Sequence, residues 1–180
     1  MPLTNFMAAI VLIAADQISK IWLISVMEGR ECTIVNGLPE LCRPIEITSF
    51  FNVVMVWNTG VSFGLFSDAG ARVVLGLVNI AVAAALCVWL WRARGRVLRT
   101  GLTLVIGGAV GNAIDRFAYG AVADFFDVHV EGGAARWAIE TFGSNHWPAF
   151  NIADMAISVG VVLLLFDSLF VASDRSKRAP

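Results

Sequence analysis

The chain has 180 residues, 58% of them hydrophobic and only 15% charged, with a mean hydropathy of +0.75. A soluble domain carries about 25% charged residues, so a bilayer is the natural solvent for the apolar blocks of this sequence. Thirteen basic against fourteen acidic side chains leave a net charge of −1, and without a basic face no nucleic acid partner is expected. Composition points to one integral membrane domain over 1–180, with no internal repeat and no low-complexity tract.

Residues 5–27 make the first candidate span. Asp16, Gln17, Ser19 and Lys20 interrupt it, and the basic start and small-residue cleavage site of a signal peptide are not clear, so a cleaved leader is not expected. Asp16 and Lys20 lie one helical turn apart and can neutralise each other inside a bundle. On pattern alone they read as an ion pair that fixes helix packing.

The segment 28–72 is polar and holds Glu28, Glu31, Glu40 and Glu46, with turn signals at Asn36-Gly37 and Pro39. Ile45–Trp57 is rich in β-branched and aromatic residues, which predicts one or two strands. These belong on the membrane surface, since open sheet edges do not survive in lipid. Asn58-Thr59-Gly60 and Ser62-Phe63-Gly64 close the segment; their glycines are either turns or points where backbone approaches a substrate. Cys32 and Cys42 are placed where an oxidising compartment permits a disulfide, and the sequence leaves that pairing open. Cys87, in the next span, reads as packing.

The second span, 73–91, contains no charged residue. After it Arg92, Arg94, Arg96 and Arg99 follow without one acid, which marks a cytoplasmic loop under the positive-inside rule. Arg175, Lys177 and Arg178 in the tail agree. The third span, 101–117, has Gly107 and Gly111 as a small-xxx-small pair and ends in Asn112, Asp115 and Arg116, which share one helical face. A polar linker, 118–147, carries Asp124. Pro148 fits the first turn of a fourth span, 148–171. With both termini inside, 28–72 and 118–147 lie outside. Asn112, Asp115, Arg116 and Asp124 then fall at the outer end of span three, on the same membrane face as Asn151 and Asp154 at the outer start of span four.

Acids beside an apolar span are costly unless they face a protein interior or a wet cavity. Two carboxylates held close cannot both stay ionised, so a proton is shared. Such a pair can deprotonate a water and protonate a leaving amine, which is aspartic peptide hydrolysis. Structural ion pairs and ion conduction are the competing uses of the same residues. Zinc hydrolysis needs three ligands and a water, whereas the only histidines are His129 and His146, both in the outer linker. A Ser–Lys dyad requires Lys20 to reach Ser62 or Ser158.

Taken together the motifs resemble the bacterial lipoprotein signal peptidases, the type II signal peptidases. The resemblance rests on Asp16-x-x-x-Lys20, Asn58-Thr59-Gly60-Val61-Ser62-Phe63-Gly64, Gly108-x-x-Gly111-Asn112-x-x-Asp115-Arg116, Ala123-Asp124-Phe125 and Phe150-Asn151-x-Ala153-Asp154, in that order along most of the chain. It implies a mainly α integral membrane fold, a four-transmembrane-helix bundle with a small extracytoplasmic β-rich cradle. The implied activity is removal of a signal peptide before a diacylglyceryl-modified cysteine. Asp124 and Asp154 would be the catalytic pair. Asn58, Gly60, Asn112, Asp115, Arg116 and Asn151 would line or brace the site, and Asp16 and Lys20 would support the bundle. Diacylglyceryl-prolipoproteins, membrane lipid and inhibitors of the globomycin kind are the implied partners; no metal or organic cofactor is implied. The implied place is the bacterial cytoplasmic (inner) membrane, with the active site near the outer face.

The sequence departs from the family pattern at two places. The stretch EGGAARWAIETFGSN between the aspartates is longer than the family leads one to expect and could act as an extra lid. Ala121-Val122-Ala123 stands where bulkier β-branched residues are expected. Outside this family, a small proton-coupled transporter using Asp16, Lys20 and the outer acids, or a scaffolding module with purely structural ion pairs, would use the same charges.

Overall fold

A computed structural model describes residues 2–35, 38–40, 42–60 and 69–171. The Asn36-Gly37 turn, the Val61-Ser62-Phe63-Gly64 half of the loop motif, and the tail bases Arg175, Lys177 and Arg178 lie outside the described residues. The elements run α1 (Pro2–Glu28), β1 (Thr33–Val35), β2 (Leu38–Glu40), β3 (Ile45–Thr48), β4 (Phe51–Asn58), α2 (Ala69–Arg92), α3 (Arg96–Ala118), β5 (Val122–Val128), α4 (Gly132–Phe142) and α5 (Ile152–Phe166). A π-turn over Asp167–Val171 prolongs α5.

Four helices are long and apolar enough to cross a membrane: Leu3–Glu28, Val73–Arg92, Arg96–Ala118 and Ile152–Phe170. The third is the core of the bundle, with 61% of its apolar window buried against 28%, 17% and 22% for the others, and it packs on α1, α2 and α5. Its glycines explain why it can be surrounded. Gly107 lies against Leu12 of α1, a Cβ at Gly111 would meet Asp16, and one at Gly108 would meet the Ala153 carbonyl of α5. The other helices turn side chains such as Ile18, Leu77 and Val162 outward, an apolar exterior that only lipid solvates well.

One end of the bundle gathers the arginine-rich turn. Asn5 donates to the Thr103 hydroxyl at 3.1 Å, Phe6 meets Trp91 with ring centroids 6.4 Å apart, and Gly101 abuts Leu164. The start of α1, the end of α5 and the arginines around the α2–α3 turn therefore share this end.

The opposite end carries the sheets. β1 and β2 form a hairpin, and β3-β4-β5 form an antiparallel sheet with β4 in the centre. Val53 and Met55 of β4, with Ala123 and Phe125 of β5, bury one sheet face on Leu23, Ile24 and Met27 at the end of α1; in β4 this is the period-two pattern of a half-buried strand. A Cys32–Cys42 disulfide and a 2.9 Å hydrogen bond from the Trp57 indole to the Pro39 carbonyl tie the β1–β2 hairpin down.

Three sequence expectations are revised. The polar linker 118–147 holds strand β5 and helix α4, elements that the sequence reading did not assign. The third long helix starts at Arg96, taking two arginines into its first turn. The fourth starts at Ile152, not Pro148, because Asn151 and Asp154 form a reciprocal capping box that satisfies the first free N–H groups of the helix.

Candidate active site

The site is built where α3, β5 and the start of α5 meet the end of α1. On α3, Asn112 and Asp115 face inward and are 5% and 0% exposed. β5 pairs with β4 in a register that sets Asp124 opposite Val56, and Asp124 is buried. The capping box fixes Asp154: its Oδ2 accepts from the Asn151 N–H at 3.2 Å, while the Asn151 Oδ1 accepts from the Asp154 N–H at 3.0 Å.

Two amides join the two acids. The Asn151 side-chain NH2 donates to Asp124 Oδ1 at 2.7 Å and to Asn112 Oδ1 at 3.2 Å. The Asn112 NH2 donates to Asp154 Oδ1 at 2.8 Å. From the sheet, the Asn58 NH2 donates to Asp124 Oδ2 at 3.1 Å, and the Gly60 N–H holds the Asn58 Oδ1 at 2.8 Å. Gly60 adopts φ +81°, a left-handed conformation that suits glycine, and a Cβ there would lie 2.8 Å from Leu75.

Beneath the acids lies a buried charge cluster. The Lys20 ammonium is 2.8 Å from Asp16 Oδ2, 2.8 Å from Asp115 Oδ2 and 3.1 Å from Asn112 Oδ1. All three of its donors are engaged. Asp16 Oδ1 accepts from the Ala153 N–H at 3.0 Å, and Asp115 Oδ2 accepts from the Ala123 N–H at 3.2 Å, so each acid of the cluster grips the chain beside one of the two aspartates. Gln17 spans Asp16, the Gly111 carbonyl and Asp115. Arg116 donates to the Asn112 carbonyl at 3.2 Å and its guanidinium reaches toward Gly60.

Burial, and next the neighbouring Asp154 charge, push the Asp124 carboxyl up to about 7, against the downward pull of hydrogen bonds from Asn58 and Asn151. Two carboxyls with a proton to share near neutral pH are the result. A groove of about 500 Å³ opens at Asp154, lined by Asn58, Trp147, Phe150, Met155, Ser158 and Val159 among others. It is polar at the aspartate and apolar along its walls.

The sequence profile described as Signal peptidase (SPase) II matches residues 8–170. The chain belongs to the signal peptidase II family. It is 43% identical over 170 residues to a lipoprotein signal peptidase of Rhodopseudomonas palustris strain TIE-1, covering 93% of each chain. To one of Nitrobacter hamburgensis it is 40% identical over 169 residues, covering 92% of this chain and 91% of the other. A solved bacterial membrane enzyme has the same fold, with a TM-score of 0.68, 24% identity and coverage of 98% and 93%. This chain is thus a multi-pass membrane peptidase of the signal peptidase II family.

The fold brings Asp16, Lys20, Asn58, Asn112, Asp115, Asp124, Asn151 and Asp154 into one connected polar network. Gly60 and Arg116 stand at its rim. Ser158 lines the groove, but Lys20 is locked between two aspartates on the far side of Asn112, so no Ser158–Lys20 dyad forms. Sequence reading gives no site role to Gln17, although it interrupts the first span, to Phe150, although it stands in the motif, or to the groove walls Trp147 and Met155. Gln17 beside Asp16 was the one legible hint, as a polar neighbour in an apolar span.

Proposed function

We propose that this protein is an aspartic endopeptidase that acts at the membrane edge on prolipoproteins, cleaving the signal peptide before the lipid-modified cysteine. The observation that carries the proposal is the pair of acids joined through Asn151 and Asn112, one buried and holding its proton up to about pH 7, the other opening on a groove. In the proposed reaction a water between them gives a proton to Asp154 and its oxygen attacks the scissile carbonyl, whose oxygen takes the proton of Asp124. Collapse of the resulting diol returns the hydroxyl proton to Asp124 and breaks the C–N bond. The amine leaving group takes the proton held by Asp154. Asn58, Asn112 and Asn151 keep the two carboxyls aimed.

The substrate class follows from the family and fits the groove. Apolar walls formed by Trp147, Phe150, Met155 and Val159 suit a peptide with acyl chains that stay in lipid, and a globomycin-type inhibitor would compete there. Orientation rests on the four arginines around the α2–α3 turn, Arg92, Arg94, Arg96 and Arg99: a cytoplasmic arginine end would put the start of α1 and the end of α5 on the cytoplasmic side and the acids near the outer face. Sites at helix ends also avoid the cost of about 3 kcal/mol for an acid at the bilayer centre.

Purified protein assayed on a diacylglyceryl-modified precursor and on its unlipidated twin tests the proposal. Wild type is expected to cleave only the lipidated form, and Asp124→Asn and Asp154→Asn are each expected to bind it without turnover. Equal cleavage of both precursors removes the substrate class, and wild-type turnover by either variant removes the dyad.

A further inference from the structure

Outside the aspartate site, one cluster of side chains has ligand chemistry that the peptidase reaction leaves unused. Past Val128 the chain forms an antiparallel bridge between His129 and His146. It is held by the Val130 N–H to the Asn145 carbonyl at 3.0 Å and the Trp147 N–H to the Val128 carbonyl at 2.8 Å. Asp127 and His129, two apart on extended chain, project to one side. The bridge sets His146 across from His129, with the two rings stacked at a centroid distance of 5.0 Å.

The three side chains converge. Asp127 is 6% exposed. His146 Nδ1 lies 2.8 and 3.0 Å from the two Asp127 oxygens. His129 Nδ1 lies 3.7 Å from Asp127 Oδ2, with its side chain 11% exposed. That distance is too long for a hydrogen bond, and this buried nitrogen has no hydrogen-bond partner among the described residues. A buried polar atom aimed at a carboxylate it cannot bond is what a shared ligand would resolve.

One donor atom from each of the three lies within 4.8 Å of the others. A zinc ion with bonds near 2.0–2.1 Å holds tetrahedral donors about 3.3 Å apart, and the Asp127 distances of 2.8 and 3.7 Å bracket that spacing. Two imidazoles and a carboxylate favour a zinc-class ion over magnesium or calcium, which prefer all-oxygen shells. Asn52 approaches Asp127 Oδ2 at 3.4 Å and can orient the carboxylate, as partners of metal ligands do. Glu46 and Glu131 line the adjoining groove of about 520 Å³ together with His129, a negative approach for a cation.

We propose that Asp127, His129 and His146 form a binding site for one zinc-class divalent ion. Asp127 lies on the strand that carries Asp124, and His146 on the turn that leads into the helix of Asp154. The ion therefore staples the two ends of the α4 excursion together and holds the outer rim of the aspartate site.

The test uses full-length protein in detergent, free of any polyhistidine tag and stripped with a chelator; His129 and His146 are then its only histidines. Calorimetric titration with Zn2+ is expected to give one ion per chain, Co2+ to give the visible bands of a tetrahedral site, and Zn2+ to raise the unfolding temperature. His146→Ala, at a side chain 50% exposed, is expected to fold like the metal-free wild type yet bind Zn2+ on the order of 100-fold more weakly and lose the thermal shift. His129→Ala is expected to do the same. Absence of one-to-one Zn2+ binding, binding that both variants retain, or equal competition by Ca2+ overturns the proposal.

Discussion

Asp124→Asn separates the stability of the site from its chemistry. The fold moves this carboxyl from 3.8 up to about 7, chiefly through burial. A raised value means that the native state binds the proton more tightly than the unfolded chain. The contribution is fully present below the ordinary carboxylate range and is lost as pH rises through about 7. At about 1.4 kcal/mol per pKa unit, holding Asp124 ionised costs the native state about 4 kcal/mol above that point, and about 3 kcal/mol of the loss falls between pH 5 and pH 8. An asparagine does not titrate, but it meets two amide donors, from Asn58 and Asn151, with only one acceptor oxygen. Leaving one donor unsatisfied costs roughly 1–3 kcal/mol at every pH. The variant is therefore expected near parity with wild type at pH 5 and more stable at pH 8, although inactive at both. Denaturant titration in mixed micelles at the two pH values measures this. A stability difference between variant and wild type that stays constant from pH 5 to pH 8 refutes the reasoning.

Lys20→Met leaves Asp16 and Asp115 buried without their shared cation and is expected to destabilise by about 3–5 kcal/mol, read in the same titration. Gly111→Ala places a Cβ 2.6 Å from Asp16 Oδ2; the carboxylate can yield only by loosening its pairing with Lys20, so a loss of about 1–3 kcal/mol is expected. Gly108→Ala meets the Ala153 backbone carbonyl instead, which cannot give way without moving α5, so its loss of stability and of prolipoprotein cleavage is expected to exceed that of Gly111→Ala.

The long helices and the β3–β4 hairpin were legible because their signals are local: unbroken apolar runs, arginines at one end, β-branched and aromatic residues in Ile45–Trp57. β5 was not. Val122 to Phe125 are all buried, so the strand lacks the alternation that betrays a one-sided sheet position, and a short buried run is ambiguous by periodicity. The α5 start was misplaced because Pro148 is a good first-turn residue, while the Asn151–Asp154 capping box is an equally local signal that was given to catalysis instead. The Asp16–Lys20 pair was visible from spacing, but Asp115 as the second partner of Lys20 depends on how α1 crosses α3, which no local pattern encodes. For the same reason two histidines were counted as too few ligands: Asp127 joins them only through strand register and the bridge to His146.

The polar network has a direction, and Lys20 sets it. An ammonium can only donate, so the oxygen of Asn112 must face Lys20, which turns the Asn112 NH2 toward Asp154. Asn151 is oriented in the same way from the other side: its oxygen is taken by the Asp154 N–H in the first turn of α5, which turns its NH2 toward Asp124. Each aspartate therefore receives an amide donor and is not confronted by an amide oxygen, although among the described residues no cation forms an ion pair with either acid. A cation in direct contact would hold its carboxylate ionised and remove it from proton exchange. Placing Lys20 one amide away from Asp154 and two from Asp124 keeps the geometry that a buried charge imposes while leaving the proton on Asp124 free to move.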